Sequence, residues 1–341
     1  MMSQPPSRLE INLAALDANV AAFRAAAGRP VGLCAVVKAE AYGLGAKMIA
    51  KRLAANAVDL LAVYNLDQAR ALATAGVPTP LLLLMPVTTL DRTDVLYRAA
   101  VADRLHLTIH SADQLNAVEA IGQTFGTALP CHVEVDTGMS RGGMSVDEAD
   151  RLLPRLIDSR YLRLAGIFTH PASAESDIAM TNRQAHDLDK LLARHHTRLP
   201  DEVIIHFANT HAALRDAKHH RSMLRLGLGL WGFGQEDLVG SPAAGVAPLR
   251  PVVRWMSHLV HLRHVGPGTP VGYNSRFTTF KDTTLALAPV GYGDGYPRAV
   301  VGKADVRVGD SLTPAPVRGV ISMDQLIIDV TDVPDAHLGQ T

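Results

Sequence analysis

Eight short apolar runs, with helix-patterned sequence between them, restrict what this 341-residue chain can fold into more than any other feature. They lie at 33–37, 59–63, 80–85, 106–109, 131–135, 163–168, 203–206 and 223–228. Runs of this length bounded by turn formers read as strands buried on both faces. Stretches such as 66–72, 111–115 and 146–153 carry helical spacing between them. Ahead of the first run, Leu13, Leu16, Val20 and Phe23 mark a helix over 13–27 that Gly28 stops. Strands that alternate with helices pair in parallel, and eight such units in about 220 residues fit a closed (β/α)8 barrel of TIM type. A doubly wound open sheet is the alternative. It binds through a G-x-G-x-x-G turn after its first strand, and none follows the run at 33–37.

After Gly234 the texture changes. Residues 240–248 are loop composition, and β-rich segments at 252–260, 284–288 and 326–330 follow, broken by glycine and proline. The expected division is therefore a barrel over 12–236, a linker over 237–244, and a mostly-β C-terminal domain. That domain takes 245–341 together with 1–11, whose strand at 8–11 helps close it.

Composition excludes several function classes. With 33 basic and 33 acidic side chains the formal net charge is zero, so there is no electrostatic footprint for nucleic acid or an anionic membrane. No apolar run reaches the length of a membrane span. The first residues have neither a basic nor an apolar export region, and a cytoplasmic protein is expected. Cys34 and Cys131 sit inside apolar runs and read as small buried hydrophobes, not as a disulfide or metal cage. The fifteen histidines lack metal-ligand spacing, and no metal is expected. The adjacent pairs His195-His196 and His219-His220 read as solvated helix faces.

In a barrel of this kind the acting residues stand at the C-terminal ends of the strands. The first strand delivers Lys38 and, one glycine-punctuated loop later, Tyr42. Desolvation at a strand end favours the neutral amine, the form that attacks an aldehyde. The fifth strand ends in Asp136-Thr137-Gly138-Met139-Ser140-Arg141, the sixth in Thr169-His170, the seventh runs into Asn209-Thr210, and the eighth into Arg225, Gly227 and Leu228. The backbone N–H groups of Gly227 and Leu228, with the Thr210 hydroxyl, can cradle a phosphate. A lysine, a phosphate cup and a partner for a ring nitrogen are what pyridoxal 5'-phosphate needs. Arg225 suits the last role, since a guanidinium donates a hydrogen bond without giving up its proton.

The segment V-V-K-A-E-A-Y-G-L-G at 36–45 resembles the cofactor-lysine motif of the alanine racemases, a family of fold-type III pyridoxal-phosphate-dependent amino-acid racemases. Val271-Gly272-Tyr273, the stretch 291–298 and Ile321-Ser322-Met323-Asp324-Gln325 resemble three further segments of that family. The resemblance implies that Lys38 carries the cofactor, and that Tyr42, Asn209, Thr210, Gly227 and Leu228 hold it. His170 would lie against its ring and Arg225 beside its ring nitrogen. Arg141, Met323 and Asp324 would bind the amino-acid substrate, with Tyr292 and Arg298 lining the entrance. Racemisation of L- and D-alanine would then use two bases, Lys38 for the D isomer and Tyr273 for the L isomer. A cationic neighbourhood around His170 and Arg225 would lower the Tyr273 phenol. The family's tyrosine belongs to the partner subunit, which implies a homodimer with shared active sites.

The chain departs from that pattern in five places. Glu40 and Leu44 stand where the family more often has Asp or Asn and His. Glu134 replaces a lysine that is carbamylated in many members, and is expected to pair with Arg141, directly or through water. Val320 replaces an entrance arginine. The chain ends at Thr341 while the family continues by several tens of residues, so the β domain is expected to be cut short. The alternatives are a racemase of broader specificity, for serine or larger amino acids, a barrel amino-acid decarboxylase and a non-catalytic pyridoxal-phosphate-binding protein.

Overall fold

The computed structural model describes residues 5–28, 30–238 and 247–341. Two compact units divide the chain, one formed by Asn12–Val252 and one by Met1–Ile11 with Val253–Thr341. Of the expected linker, residues 239–244 lie outside the described residues.

The first unit is a closed barrel of eight parallel strands. These are β1 (Gly32–Val36), β2 (Leu60–Val63), β3 (Leu81–Leu83), β4 (Leu105–Ile109), β5 (Leu129–Asp136), β6 (Leu162–Phe168), β7 (Ile204–His206) and β8 (Met223–Leu226). Closure comes from β8 on β1, in a register that sets Arg225 against Cys34, and from β4 on β5. Helices cover the outside, and their ends follow from local chemistry. Asn12 caps Leu13–Ala27 by accepting from the Ala15 N–H at 3.0 Å, and Gly28 ends it with φ of 62°. Asn65, Ser111 and Asp177 cap later helices in the same way.

Alternate strand residues face the lumen, and the lumen is chemically split. Cys34, Val36, Leu60, Ala62, Leu82 and Met223 form an apolar cluster on one side. The other side holds buried His106, His132 and His206. His132 joins His206 at 2.9 Å over the intervening β6. The β6 residue between them is Gly166, whose Cβ would fall on the His132 ring.

These imidazoles make the barrel acid-sensitive. Burial pushes His106 down to about 4 from 6.5 and holds His132 and His206 well below 6.5. Such groups bind protons when unfolded but not when folded. Their contribution is therefore complete above pH 6.5 and is lost as the pH falls from there toward about 4. His106 alone accounts for about 3 kcal/mol over that window. The urea midpoint should drop clearly between about pH 7.5 and about pH 5; an unchanged midpoint would mean that the three are not buried neutral.

The expectation of solvated histidine pairs fails in part. His219 and His220 are buried, and His195 is buried against Asp150 at 2.8 Å, leaving only His196 exposed. A helical end or turn packed onto a barrel covers residues that adjacency alone would send outward. Cys34 and Cys131 are buried free thiols, and burial pushes both up to about 12.

The second unit holds a five-stranded antiparallel sheet in the order His261–Val265, Thr283–Ala288, Leu326–Asp329, Ala315–Arg318, Asp305–Val306. Alternation buries Ala286, Ala288, Val317, Leu326 and Ile328 on one face. The N-terminal strand Ser7–Ile11 belongs to this unit but pairs with Val253–Ser257 as a separate two-stranded sheet. A short hairpin, Pro270–Val271 with Phe277–Thr278, carries Tyr273 in its turn. Among the described residues no helix is long and apolar enough to cross a membrane.

Candidate active site

A cavity of about 640 Å³ opens at the C-terminal end of the barrel, within the range of small-molecule sites. Ten of the residues singled out from sequence line it: Lys38, Tyr42, Glu134, Arg141, His170, Asn209, Thr210, Arg225, Gly227 and Leu228. Tyr273, Tyr292, Arg298, Met323 and Asp324 stand on the β-rich unit.

Lys38 follows β1 at once. Burial, and then the positive charge of Arg141, hold its ammonium below the ordinary lysine value. The backbone after it takes a conformation that the sequence did not announce. Ala39, Glu40, Ala41 and Tyr42 all have positive φ, between 49° and 61°, one turn of left-handed helix. Each residue in that region costs about 1–2 kcal/mol without glycine's freedom. Glu40 helps to hold it by accepting from the Ala46 N–H at 3.2 Å, capping a helix whose own N-cap is glycine. The turn swings the Tyr42 phenol over Gly227, where any Cβ would strike its oxygen. Burial raises the Tyr42 pKa, so it stays a neutral donor.

Beside this turn lies the cup. The Thr210 hydroxyl accepts from the Gly229 N–H at 3.0 Å, which leaves its own proton to donate. Asn209 caps the helix Thr210–Arg215 through its carbonyl oxygen, so its NH₂ is the end left for a ligand. Arg225 is 4% exposed, donates to the Thr169 carbonyl at 2.9 Å and stacks on the Phe168 ring at 4.8 Å. It also donates to His170 Nδ1 at 3.0 Å. That bond fixes the His170 proton on Nε2. Burial, then the charges of Arg225, Arg141 and Lys38, keep this imidazole neutral. The cationic character expected around His170 therefore comes from its charged neighbours, Arg225 first and then Arg141 and Lys38, and not from the imidazole itself.

Arg141 is aimed by a turn built on Asp136, whose carboxylate accepts from the N–H groups of Gly138, Met139 and Ser140 at 2.8–3.1 Å. The expected direct pairing of Glu134 with Arg141 is not found. Glu134 lies 3.2 Å from His110 Nδ1 instead, and among the described residues Arg141 makes no ion pair. Strand register explains this: β4 and β5 pair Ile109 with Val133, so the next residues, His110 and Glu134, meet. The Asp136 turn meanwhile carries Arg141 beyond the strand end. A polar residue at one strand's exit, level with a histidine on the neighbouring strand, was the signal available for this contact.

On the β-rich unit, Tyr273 is 66% exposed in a turn with positive φ at Gly272, Asn274 and Ser275. The Gly293 N–H donates to the Met323 carbonyl at 2.8 Å, and Gly291 leaves no room for a Cβ beside that carbonyl. Among the described residues the Met323 N–H has no partner, so it is available to a ligand. The Arg298 guanidinium lies over the Tyr292 ring at 5.2 Å.

The two units also correspond to two sequence-family models. Residues 11–235 match that of the alanine racemase N-terminal domain, and 252–341 that of the alanine racemase C-terminal domain. The chain belongs to the alanine racemase family. Members of this family are pyridoxal-phosphate-dependent isomerases. The alanine racemase of Desulfovibrio desulfuricans is 34% identical over 98% of this chain and 87% of its own length. That of Methylacidiphilum infernorum is 31% identical over 99% and 82%. Among solved structures, the alanine racemase of Streptomyces coelicolor superposes with a TM-score of 0.83 at 30% identity, covering 98% of this chain and 87% of that one. The Bartonella henselae enzyme, solved with covalently bound pyridoxal phosphate, gives 0.81 at 26% identity, covering 99% and 89%.

The barrel mouth fits that cofactor. A poised amine, a cup with free donors beside a glycine that no side chain could replace, and a buried obligate donor deep in the cavity match its aldehyde, phosphate and ring nitrogen.

Proposed function

We propose that this chain interconverts L- and D-alanine in the cytoplasm, as a homodimer in which each site combines Lys38 of one subunit with Tyr273 of the other. The observation that carries the reading is Lys38, held toward its neutral form in the same cavity as the Thr210–Gly227 cup and Arg225.

Bound there, pyridoxal phosphate supplies the electron sink that makes the Cα proton of an amino acid removable. The chain does the rest. Gly227, Leu228, Thr210, Asn209 and Tyr42 anchor the phosphate by hydrogen bonds. Arg225 donates to the ring nitrogen but keeps its own proton, which limits electron withdrawal and disfavours transamination. Lys38 Nζ takes or returns the Cα proton on the face that serves D-alanine, and the Tyr273 phenolic oxygen on the face that serves L-alanine. A free phenol ionises near ~10, so Tyr273 needs help to act as a base. His170 Nε2–H, fixed by Arg225, can donate to the phenolate, and the nearby guanidinium charge favours it. Arg141 and the Met323 N–H receive the substrate carboxylate, Asp324 completes that side, and Tyr292 with Arg298 narrows the entrance.

The test uses the purified protein loaded with pyridoxal phosphate. Borohydride reduction followed by peptide mapping should place the cofactor on Lys38, and L-alanine should lose its optical rotation. A protein that binds no cofactor, or carries the adduct elsewhere, refutes the assignment. Release of carbon dioxide would make it a decarboxylase.

A further inference from the structure

Three buried imidazoles continue the hydrogen bonding of Arg225 away from the cavity and down through the lumen. Arg225 meets His206 Nδ1 at 3.0 Å, His206 Nε2 meets His132 Nδ1 at 2.9 Å, and His132 Nε2 meets His106 Nδ1 at 2.9 Å. The series ends at the main chain of Asp103, whose hydrogen bond favours a proton on His106.

One end dictates the rest. A guanidinium has five donors and no acceptor, so His206 Nδ1 must offer a lone pair and carry its proton on Nε2. That proton is donated to His132 Nδ1, which forces the His132 proton onto Nε2, and the same step repeats at His106. A second proton on any ring would set one N–H against another in a site without water access. Each ring is therefore neutral, and the order has a single direction.

The barrel is altered to admit it. The pairing of β5 with β6 shifts register between Cys131 and His132, bringing Gly166 opposite His132. A side chain at 166 would collide with the His132 ring and lie 2.9 Å from the Ile204 carbonyl. A bulge in β6 that brings a glycine level with His132, so that the imidazole has room, is a costly local arrangement. An apolar lumen, as on the Cys34 side, would not need it.

We propose that His106, His132 and His206 are positioning residues for the reaction, a one-directional chain of Nε2–H tautomers that holds Arg225 at a fixed aim as a non-titrating donor. This rests on the reading of Arg225 as the ring-nitrogen partner. The chain presents the guanidinium with a lone pair that cannot flip to a proton, because flipping one ring requires flipping all three against Arg225. A buried guanidinium without that acceptor would turn or sink, and the ring nitrogen would lose its partner.

The experiment uses the cofactor-loaded enzyme in two arms. Side-chain ¹⁵N NMR of histidine-labelled protein, assigned with single variants, should show His106, His132 and His206 as neutral Nε2–H forms from neutral pH down to mild acid. A protonated Nδ1 on any of the three overturns the proposal. The second arm compares His132→Leu, His132→Gln and Gly166→Ala. His132→Leu and Gly166→Ala should shift the visible absorption of the bound cofactor and lower kcat by about tenfold or more, with KM for alanine much less affected. His132→Gln, which can still accept and donate, should recover most of both. An unmoved absorption band and kcat in a folded His132→Leu or Gly166→Ala enzyme overturns the proposal even if the tautomers are as stated. Failure of wild-type enzyme to hold the cofactor at Lys38 would instead defeat the racemase reading, a separate result from the first arm.

Discussion

Replacing Lys38 with arginine lowers racemisation by about 10⁴-fold or more, in both directions, while the protein folds and still accepts pyridoxal phosphate in its cup. A positioned acid–base group contributes ~10²–10⁴-fold, and this residue also provides the covalent hold. Arginine keeps the charge, the length and most of the packing at the end of β1. It lacks only the property that the site exploits, an amine whose ammonium is destabilised by burial and by Arg141. The sign can be followed with pH. Because Lys38 is held below the ordinary lysine value of 10.5, the neutral fraction rises at lower pH than for a free lysine. The alkaline gain in reaction with an aldehyde should therefore set in early in the wild type and disappear in Lys38→Arg. The measurements are initial rates from each enantiomer, and absorbance before and after borohydride. A variant retaining more than about one hundredth of the wild-type rate would remove Lys38 from the chemistry.

Much of this arrangement was legible because the barrel writes itself in strand exits. Apolar runs ending in Lys38, His170, Thr210 or Arg225 needed only the rule that acting residues stand at the C-terminal mouth, and nine of the ten lining residues came from it; Glu134 came from the family resemblance. What was not legible depends on register. Nothing in H-V-E-V-D at 132–136 says that its histidine crosses to His206 or that its glutamate meets His110 before Arg141. Both follow from which residue of a neighbouring strand stands level with it, and from a bulge at Gly166 that shifts the count by one. The left-handed turn at 39–42 was hidden for another reason. Two of its four residues are alanines and none is a glycine, so local preference argues against it, and contacts beyond the turn hold it in place: Tyr42 beside Gly227 and the Glu40 carboxylate on the Ala46 N–H.

The three lumen histidines also revise how Arg225 should be viewed. Its strand position suggested a residue acting alone on a ring nitrogen. With Phe168 beneath it, the Thr169 carbonyl and His170 at one amino group and His206 at the other, its donors are committed on three sides. What it offers a ligand is direction more than charge.

Tyr273→Phe should lower racemisation by about 10²–10⁴-fold in both directions, because inversion needs a proton-transfer group on each face. The two enantiomers then part company in another assay. With Lys38 intact, D-alanine should still exchange its Cα proton for deuterium in D₂O, while exchange from L-alanine falls with the racemisation rate. Equal exchange from both, or from neither, would contradict the division of faces. Stability is little disturbed, since Tyr273 is 66% exposed on its own unit and loses only a hydroxyl, so a fall in rate cannot be attributed to unfolding. The same variant tests the shared site. Lys38→Arg and Tyr273→Phe proteins are each inactive alone. If one subunit lends Tyr273 to the other's Lys38, exchange of subunits between them creates mixed dimers with one intact site of the two, and activity returns on mixing. Sites that take both residues from a single chain would give mixtures as inactive as their parts.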